Sequence, residues 1–142
     1  MIMRIVIING PNMNLLGVRE PQLYGNVSFD DYLAGLKADF AQVDIVYLQS
    51  NHEGDLIDWL QKEGFRSDGI VLNAAGYTHS SVAIRDAVAA IPAPVVEVHL
   101  TDTDKREPFR RISYLTDVCR KTIRGKGLQG YREAVEWLMQ NF

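Results

Sequence analysis

Hydrophobic and polar positions along this chain switch repeatedly between the strand period and the helix period. "RIVIIN" (4–9) is a short β-branched run, the pattern of a buried strand. From Ser28 the apolar residues Phe29, Tyr32, Leu33, Leu36 and Phe40 recur at helical spacing. Ser28, with Asp31 three residues on, reads as a capping box. "DIVYLQ" (44–49) is a second strand, and "LIDWLQKE" (56–63) a second helix closed by Gly64 at a C-cap position. "GIVLNA" (69–74) is a third strand. "SSVAIRDAVAAI" (80–91) is a third helix with a serine cap and a stop at Pro92. "PVVEVHL" (94–100) is a fourth strand, followed by the charged loop "TDTDKREPFRR" (101–111). "KTIRG" (121–125) reads as a short fifth strand and "GYREAVEWLMQNF" (130–142) as a final helix.

Strands alternating with helices through short connections predict a parallel sheet covered on both faces. Right-handed crossovers then give an α/β, flavodoxin-like doubly wound fold of about five strands, with helices on both faces. The length suits a single domain over 1–142. Such folds bind ligands outside the carboxyl ends of the strands, at one edge of the sheet. The three histidines meet that demand: His52 follows the second strand, His79 the third, and His99 ends the fourth. Asn9, Asn12 and Asn14 follow the first strand, and Asn73 ends the third.

The stretch "GPNMNLLGVREPQLYG" (10–25) departs from the alternation. It shows no good helix, is long for a connection, and keeps Leu15, Leu16 and Leu23, which a disordered linker rarely does. We read it as a functional loop.

Composition narrows the function classes. A hydrophobic fraction of 46 % supplies a real core, and a net charge of −3 gives no general attraction to nucleic acid or an anionic membrane. Cys119 stands alone, so no disulfide forms within the chain, which favours a reducing compartment. The apolar runs are strand-sized, far short of the roughly 20 residues that span a bilayer. With no signal-like start, the expectation is a soluble cytoplasmic protein.

Of the candidate residues, His99 is the sharpest. Glu97 lies two positions earlier on the same strand, hence on the same face, where it can orient or tune the ring. Alone, such a histidine is better read as half-buried and bonded to a carbonyl; its clustering with His79 and Asn73 reverses that balance. His79 precedes a serine-capped helix, whose N-terminus favours carboxylates and hydroxyls. Simple capping by Ser80 or Ser81 explains the same residues. His52, in "SNHEG", reads as a structural residue at a helix start.

Other chemistries find little support. No His-x-His, cysteine pair or His-Glu-x-x-His spacing points to a metal. "GPNMNLLG" lacks the glycines and lysine of nucleotide-binding loops. No GxSxG elbow is present, and no lysine ends a buried strand. There remain Tyr24 and Arg19 in the opening loop. An adjacent arginine stabilises a phenolate, and such a tyrosine serves as a general base near neutrality. Arg106 and Arg110 follow the fourth strand and reach toward the same edge. A solvated surface or a subunit contact explains these arginines equally well.

Four blocks together are similar to the type II 3-dehydroquinate dehydratases over nearly the full length: "GPNMNLLGVREPQLYG", "QSNHEGDLIDWL", "NAAGYTHSSVAIRDA" and "PVVEVHLTDTDKREPFRRISY". The resemblance implies reversible dehydration of 3-dehydroquinate to 3-dehydroshikimate through an enolate, without metal or cofactor. It implies a place in the shikimate pathway or, alternatively, in quinate breakdown. It implies that Tyr24 removes the proton next to the ketone, with Arg19 on a mobile loop and Arg106 lowering its pKa. Asn12 would hold a water that stabilises the enolate. His99, supported by Glu97, would donate a proton to the departing hydroxyl. Asn73, His79 and Arg110 would bind substrate hydroxyls, and the backbone N–H groups of Leu100 and Thr101 the carboxylate. The resemblance further implies trimers assembled into a homododecamer, with Asp86 reaching into a neighbour's site.

Four positions depart from the family pattern. Thr101-Asp102 replaces Ser-Asn, Lys121 replaces glycine and Met13 replaces leucine. Asp102 is expected near the carboxylate site, there to repel the substrate or to point away; the other two read as neutral. A binding module on the same scaffold is the competing reading, but it has no need of a matched acid and base.

Overall fold

The computed structural model describes residues 2–18, 20–24 and 26–142; the side chains at 23 and 24 lie outside that description. Five parallel strands, β1 (Met3–Asn9), β2 (Val43–Gln49), β3 (Gly69–Asn73), β4 (Val95–His99) and β5 (Lys121–Arg124), lie in the order β2-β1-β3-β4-β5. This is the flavodoxin-like order, whose switch point falls between β1 and β3. The helices are α1 (Pro21–Tyr24), α2 (Phe29–Asp39), α3 (Glu53–Glu63), α4 (Val82–Ala90) and α5 (Gln129–Asn141).

Two apolar layers hold the helices to the sheet. On one face Ile5, Ile7 and Val71 pack against Phe29, Leu33 and Leu36 of α2 and Ala134, Val135 and Leu138 of α5. On the other, Val6, Ile8, Ile70 and Leu72 pack against Leu56 and Leu60 of α3 and Ile84 and Val88 of α4. The central strands are buried on both faces, so they read as continuous apolar runs rather than alternating ones.

Local signals explain the element ends. Ser28 accepts the Asp31 backbone N–H at 3.2 Å and starts α2. Of the two candidate serines, Ser81 caps α4, accepting from the Ile84 N–H at 2.9 Å. Gly64 occupies the C-cap of α3, but its φ of −62° is not the left-handed conformation that usually selects glycine there. Close packing selects it instead: a Cβ at Gly64 would lie 2.4 Å from Ile91 Cβ and Cγ2. The opening stretch, read as having no good helix, is partly helical among its described residues. It contains a 3-10 turn (Met13–Leu15) and the short α1, and Leu16 is buried while Leu15 is 43 % exposed.

Candidate active site

The carboxyl ends of β1, β3 and β4 open into a cleft of about 150 Å³, lined by Asn12, Met13, Asn73, His79, His99 and Arg106 among others. A volume of that size holds on the order of ten water-sized groups, which suits one small ring compound rather than a dinucleotide. Sheet register assembles it. Asn9 pairs with Asn73 across β1 and β3. The backbones approach closely there, since a Cβ at Gly10 would lie 2.7 Å from the Ala74 carbonyl oxygen.

His99 is 6 % exposed and Glu97 fully buried. The ring nitrogen Nε2 lies 2.5 Å from Glu97 Oε2. Ser113 Oγ donates to the same oxygen at 2.7 Å, and Thr116 and Thr122 donate to Oε1 at 2.8 Å each. Burial by itself pushes the Glu97 carboxyl up. The hydrogen bond and charge of His99 oppose that, and with Ser113 and Thr116 they hold the group down at about 2. Glu97 is therefore an anion at neutral pH and accepts from Nε2–H. Nδ1 of His99 is the nitrogen left for chemistry.

His79 faces His99 with ring centroids 6.4 Å apart. Its Nδ1–H donates to the Ile112 carbonyl at 2.6 Å. Burial lowers the His79 pKa, and the nearby His99 and Arg110 charges lower it further, against the opposing pull of that carbonyl. A neutral ring of this tautomer presents Nε2 as an acceptor for a ligand hydroxyl.

Asn12 sits in the left-handed region at φ 70°, and Ala75 does so at φ 53°. Non-glycine residues held this way cost about 1–3 kcal/mol each and concentrate at functional sites. Asn51, after β2, accepts the Asn12 backbone N–H at 2.9 Å and fixes the root of the opening loop. Arg106 reaches Thr101 Oγ1 at 3.5 Å, and Arg110 pairs with Glu107.

The structure thus brings Asn12, Asn73, His79, His99, Leu100, Thr101, Arg106 and Arg110 to one cleft, with Glu97 behind His99. Asp86 is exposed on α4 and does not line the cleft. Arg19 and the side chain of Tyr24 lie outside the described residues. His52 is at the N-cap position of α3, away from the lining. Asp102 does not line the cleft either. Its carboxylate accepts the Asp104 N–H at 3.1 Å and caps the 3-10 turn Thr103–Lys105, so it points away from the expected anion site.

Sequence reading missed Ser113, Thr116 and Thr122, which converge on Glu97 from 16 to 25 residues away. One signal was available for Thr122: on the expected fifth strand it is the register partner of Glu97. Asn51, Met13 and Tyr131 were also missed as site residues. Among the described residues, no three His, Cys, Asp or Glu side chains cluster as metal ligands.

Comparisons with known proteins identify the family. Residues 3–139 match the family described as dehydroquinase class II. The chain is 48 % identical to a 3-dehydroquinate dehydratase of Roseiflexus castenholzii, over 96 % of this chain and 88 % of the relative. It is 46 % identical to a catabolic 3-dehydroquinase 1 of Aspergillus terreus, over 97 % of this chain and 92 % of the relative. The crystal structure of a type II dehydroquinase from Butyrivibrio crossotus superposes with a TM-score of 0.91 at 43 % identity, covering 96 % of this chain and 97 % of that one. With the family matched over residues 3–139 and the fold superposed along nearly the whole length, the chain belongs to the class II dehydroquinase family.

Proposed function

We propose that this protein is a 3-dehydroquinate dehydratase, a hydro-lyase converting 3-dehydroquinate reversibly to 3-dehydroshikimate, with residues 1–142 forming one catalytic domain. The observation that carries the reading is the His99–Glu97 pair. A buried carboxylate fixed as an anion holds one ring nitrogen and leaves the other facing a cleft sized for a small ring acid.

The steps follow from what each needs. The proton next to a ketone is weakly acidic, so its removal by Tyr24 requires stabilisation of the developing enolate. Arg19 and Arg106 supply positive field to the phenolate, and Asn12 holds the water that meets the enolate oxygen. Hydroxide leaves poorly, so His99 gives it a proton from Nδ1. Glu97 stabilises the ring while it carries that proton and keeps it from rotating. Asn73, His79 and Arg110 hold substrate hydroxyls, and the backbone N–H groups of Leu100 and Thr101 hold the carboxylate.

The resemblance to the family implies trimers built into a homododecamer in which Asp86 completes a neighbour's site; on α4 it is exposed and outside its own chain's cleft. We place the enzyme in the cytoplasm, in the shikimate pathway to aromatic amino acids. Quinate catabolism uses the same chemistry, and the name of the Aspergillus terreus relative favours keeping that role as the second reading.

An ultraviolet assay tests the activity. Incubation with 3-dehydroquinate is expected to produce the absorbance of a conjugated enone. A flat trace from folded protein that still binds the compound would return the chain to the binding-module reading.

A further inference from the structure

The hydroxyl of Tyr131 sits 0 % exposed beneath the cleft, on α5, an element the mechanism does not use. It donates to Asn9 Oδ1 at 2.7 Å and accepts from Asn73 Nδ2 at 3.0 Å. Asn9 Nδ2 in turn donates to Tyr47 Oη at 3.4 Å. Burial raises the Tyr131 pKa, so the group is a neutral phenol with a single proton to give.

The direction of this relay is dictated from one end. The Ala75 backbone N–H can only donate, and it lies 3.1 Å from Asn73 Oδ1. The amide oxygen of Asn73 must therefore face Ala75, and its NH₂ must face Tyr131. Tyr131 accepts there, so its own proton goes to Asn9 Oδ1, and the Asn9 NH₂ is turned to Tyr47. Each bond polarises the next, and reversing any member would oppose donor to donor. Asn73 is left with one more N–H. Its neighbour on that side is Met13 Sδ at 3.7 Å, a weak acceptor that a ligand oxygen displaces easily. Met13 and Asn73 both line the cleft.

We propose that Tyr131 is a positioning residue: its hydroxyl, together with the Ala75 N–H, holds the Asn73 amide so that one N–H faces the cleft. Its effect on turnover rests on the reading of Asn73 as a substrate-hydroxyl ligand. The lock itself does not, and it is read without substrate.

The side-chain amide protons of Asn73, observed by ¹⁵N NMR of the ligand-free protein and identified with Asn73→Asp, are expected to exchange at unequal rates. The one on Tyr131 should be protected. Tyr131→Phe, which keeps the ring in its apolar layer, is expected to abolish that protection and to raise KM about tenfold with kcat little changed, the factor that one net hydrogen bond carries. In an Asn73→Ala background the same change is expected to leave KM where it was. Rapid, equal exchange of both protons in the wild-type protein would overturn the proposal, as would unaltered protection in Tyr131→Phe. A KM effect equal in both backgrounds would overturn it too, since packing rather than Asn73 would then transmit the change. An unchanged KM in Asn73→Ala alone would instead remove the substrate role of Asn73, while the exchange rates still decide the role of Tyr131.

Discussion

Replacing Glu97 by glutamine keeps the shape of the buried side chain and removes its charge. The carboxylate accepts four hydrogen bonds, two at each oxygen. In the amide, the carbonyl oxygen is expected to stay with His99 and Ser113. The NH₂ then meets Thr116 and Thr122, whose hydroxyls rotate to accept. The fold should survive, but the bond to His99 becomes neutral. A hydrogen bond to a charged group contributes about 1.5–3 kcal/mol and a neutral one about 0.5–1.5, so the loss is about 1–2 kcal/mol and kcat falls roughly five- to thirtyfold. KM should change little, because Asn73, His79 and the arginines are untouched. Initial rates of enone formation measure both parameters, and a thermal melt confirms that the protein is folded. A kcat within about twofold of wild type, in a folded Glu97→Gln protein, would refute the view that the anion behind His99 keeps the ring supplied with the proton it donates.

Glu97 also makes an acid-stability prediction. Its carboxyl is lowered from 4.5 to about 2 in the folded state, so the stability it contributes is complete above about pH 4.5 and disappears as the pH falls toward about 2. That contribution is on the order of 3 kcal/mol, and Glu97→Gln should flatten the corresponding part of the curve of urea midpoint against pH. A parallel decline in both proteins would contradict it. Asp102→Asn should leave kcat and KM within about twofold, because asparagine caps a helical turn as well as aspartate does; a tenfold fall in KM would place the carboxylate against bound substrate. Gly64→Ala, at the end of the sheet away from the cleft, should cost about 1–3 kcal/mol in chemical denaturation with kcat preserved, because its methyl collides with Ile91. Wild-type stability in that variant would show that the helix ends shift freely.

Most of the fold is legible in the sequence because two physical signals carry it. β-branched runs such as "IVII" belong to strands buried on both faces, and the 3.6-residue period marks α2 and α5. The cleft's location follows from topology alone, since polar residues placed after successive parallel strands must meet at one edge. What stays hidden depends on contacts that no local pattern encodes. Tyr131 falls on the apolar stripe of α5 and reads as core, which its ring is; only the register of Asn9 with Asn73 reveals what its hydroxyl does. Ser113 and Thr116 sit in an irregular segment whose path is set by tertiary packing. Asp102 looks like an intruder at the anion site until its cap to Asp104 is seen. Gly64 is at the expected helix end for an unexpected reason, close packing in place of a left-handed turn.

The measurement closest to the central claim is kcat for His99→Asn in the enone assay, at saturating 3-dehydroquinate and with the folded state verified. Asparagine still fits beside Glu97 but has no titrating proton to give. The account predicts a fall in kcat of about 10²–10⁴-fold with KM largely retained, the range expected for loss of a general acid. Turnover near the wild-type rate would contradict it, and would move the proton donor away from the His99–Glu97 pair.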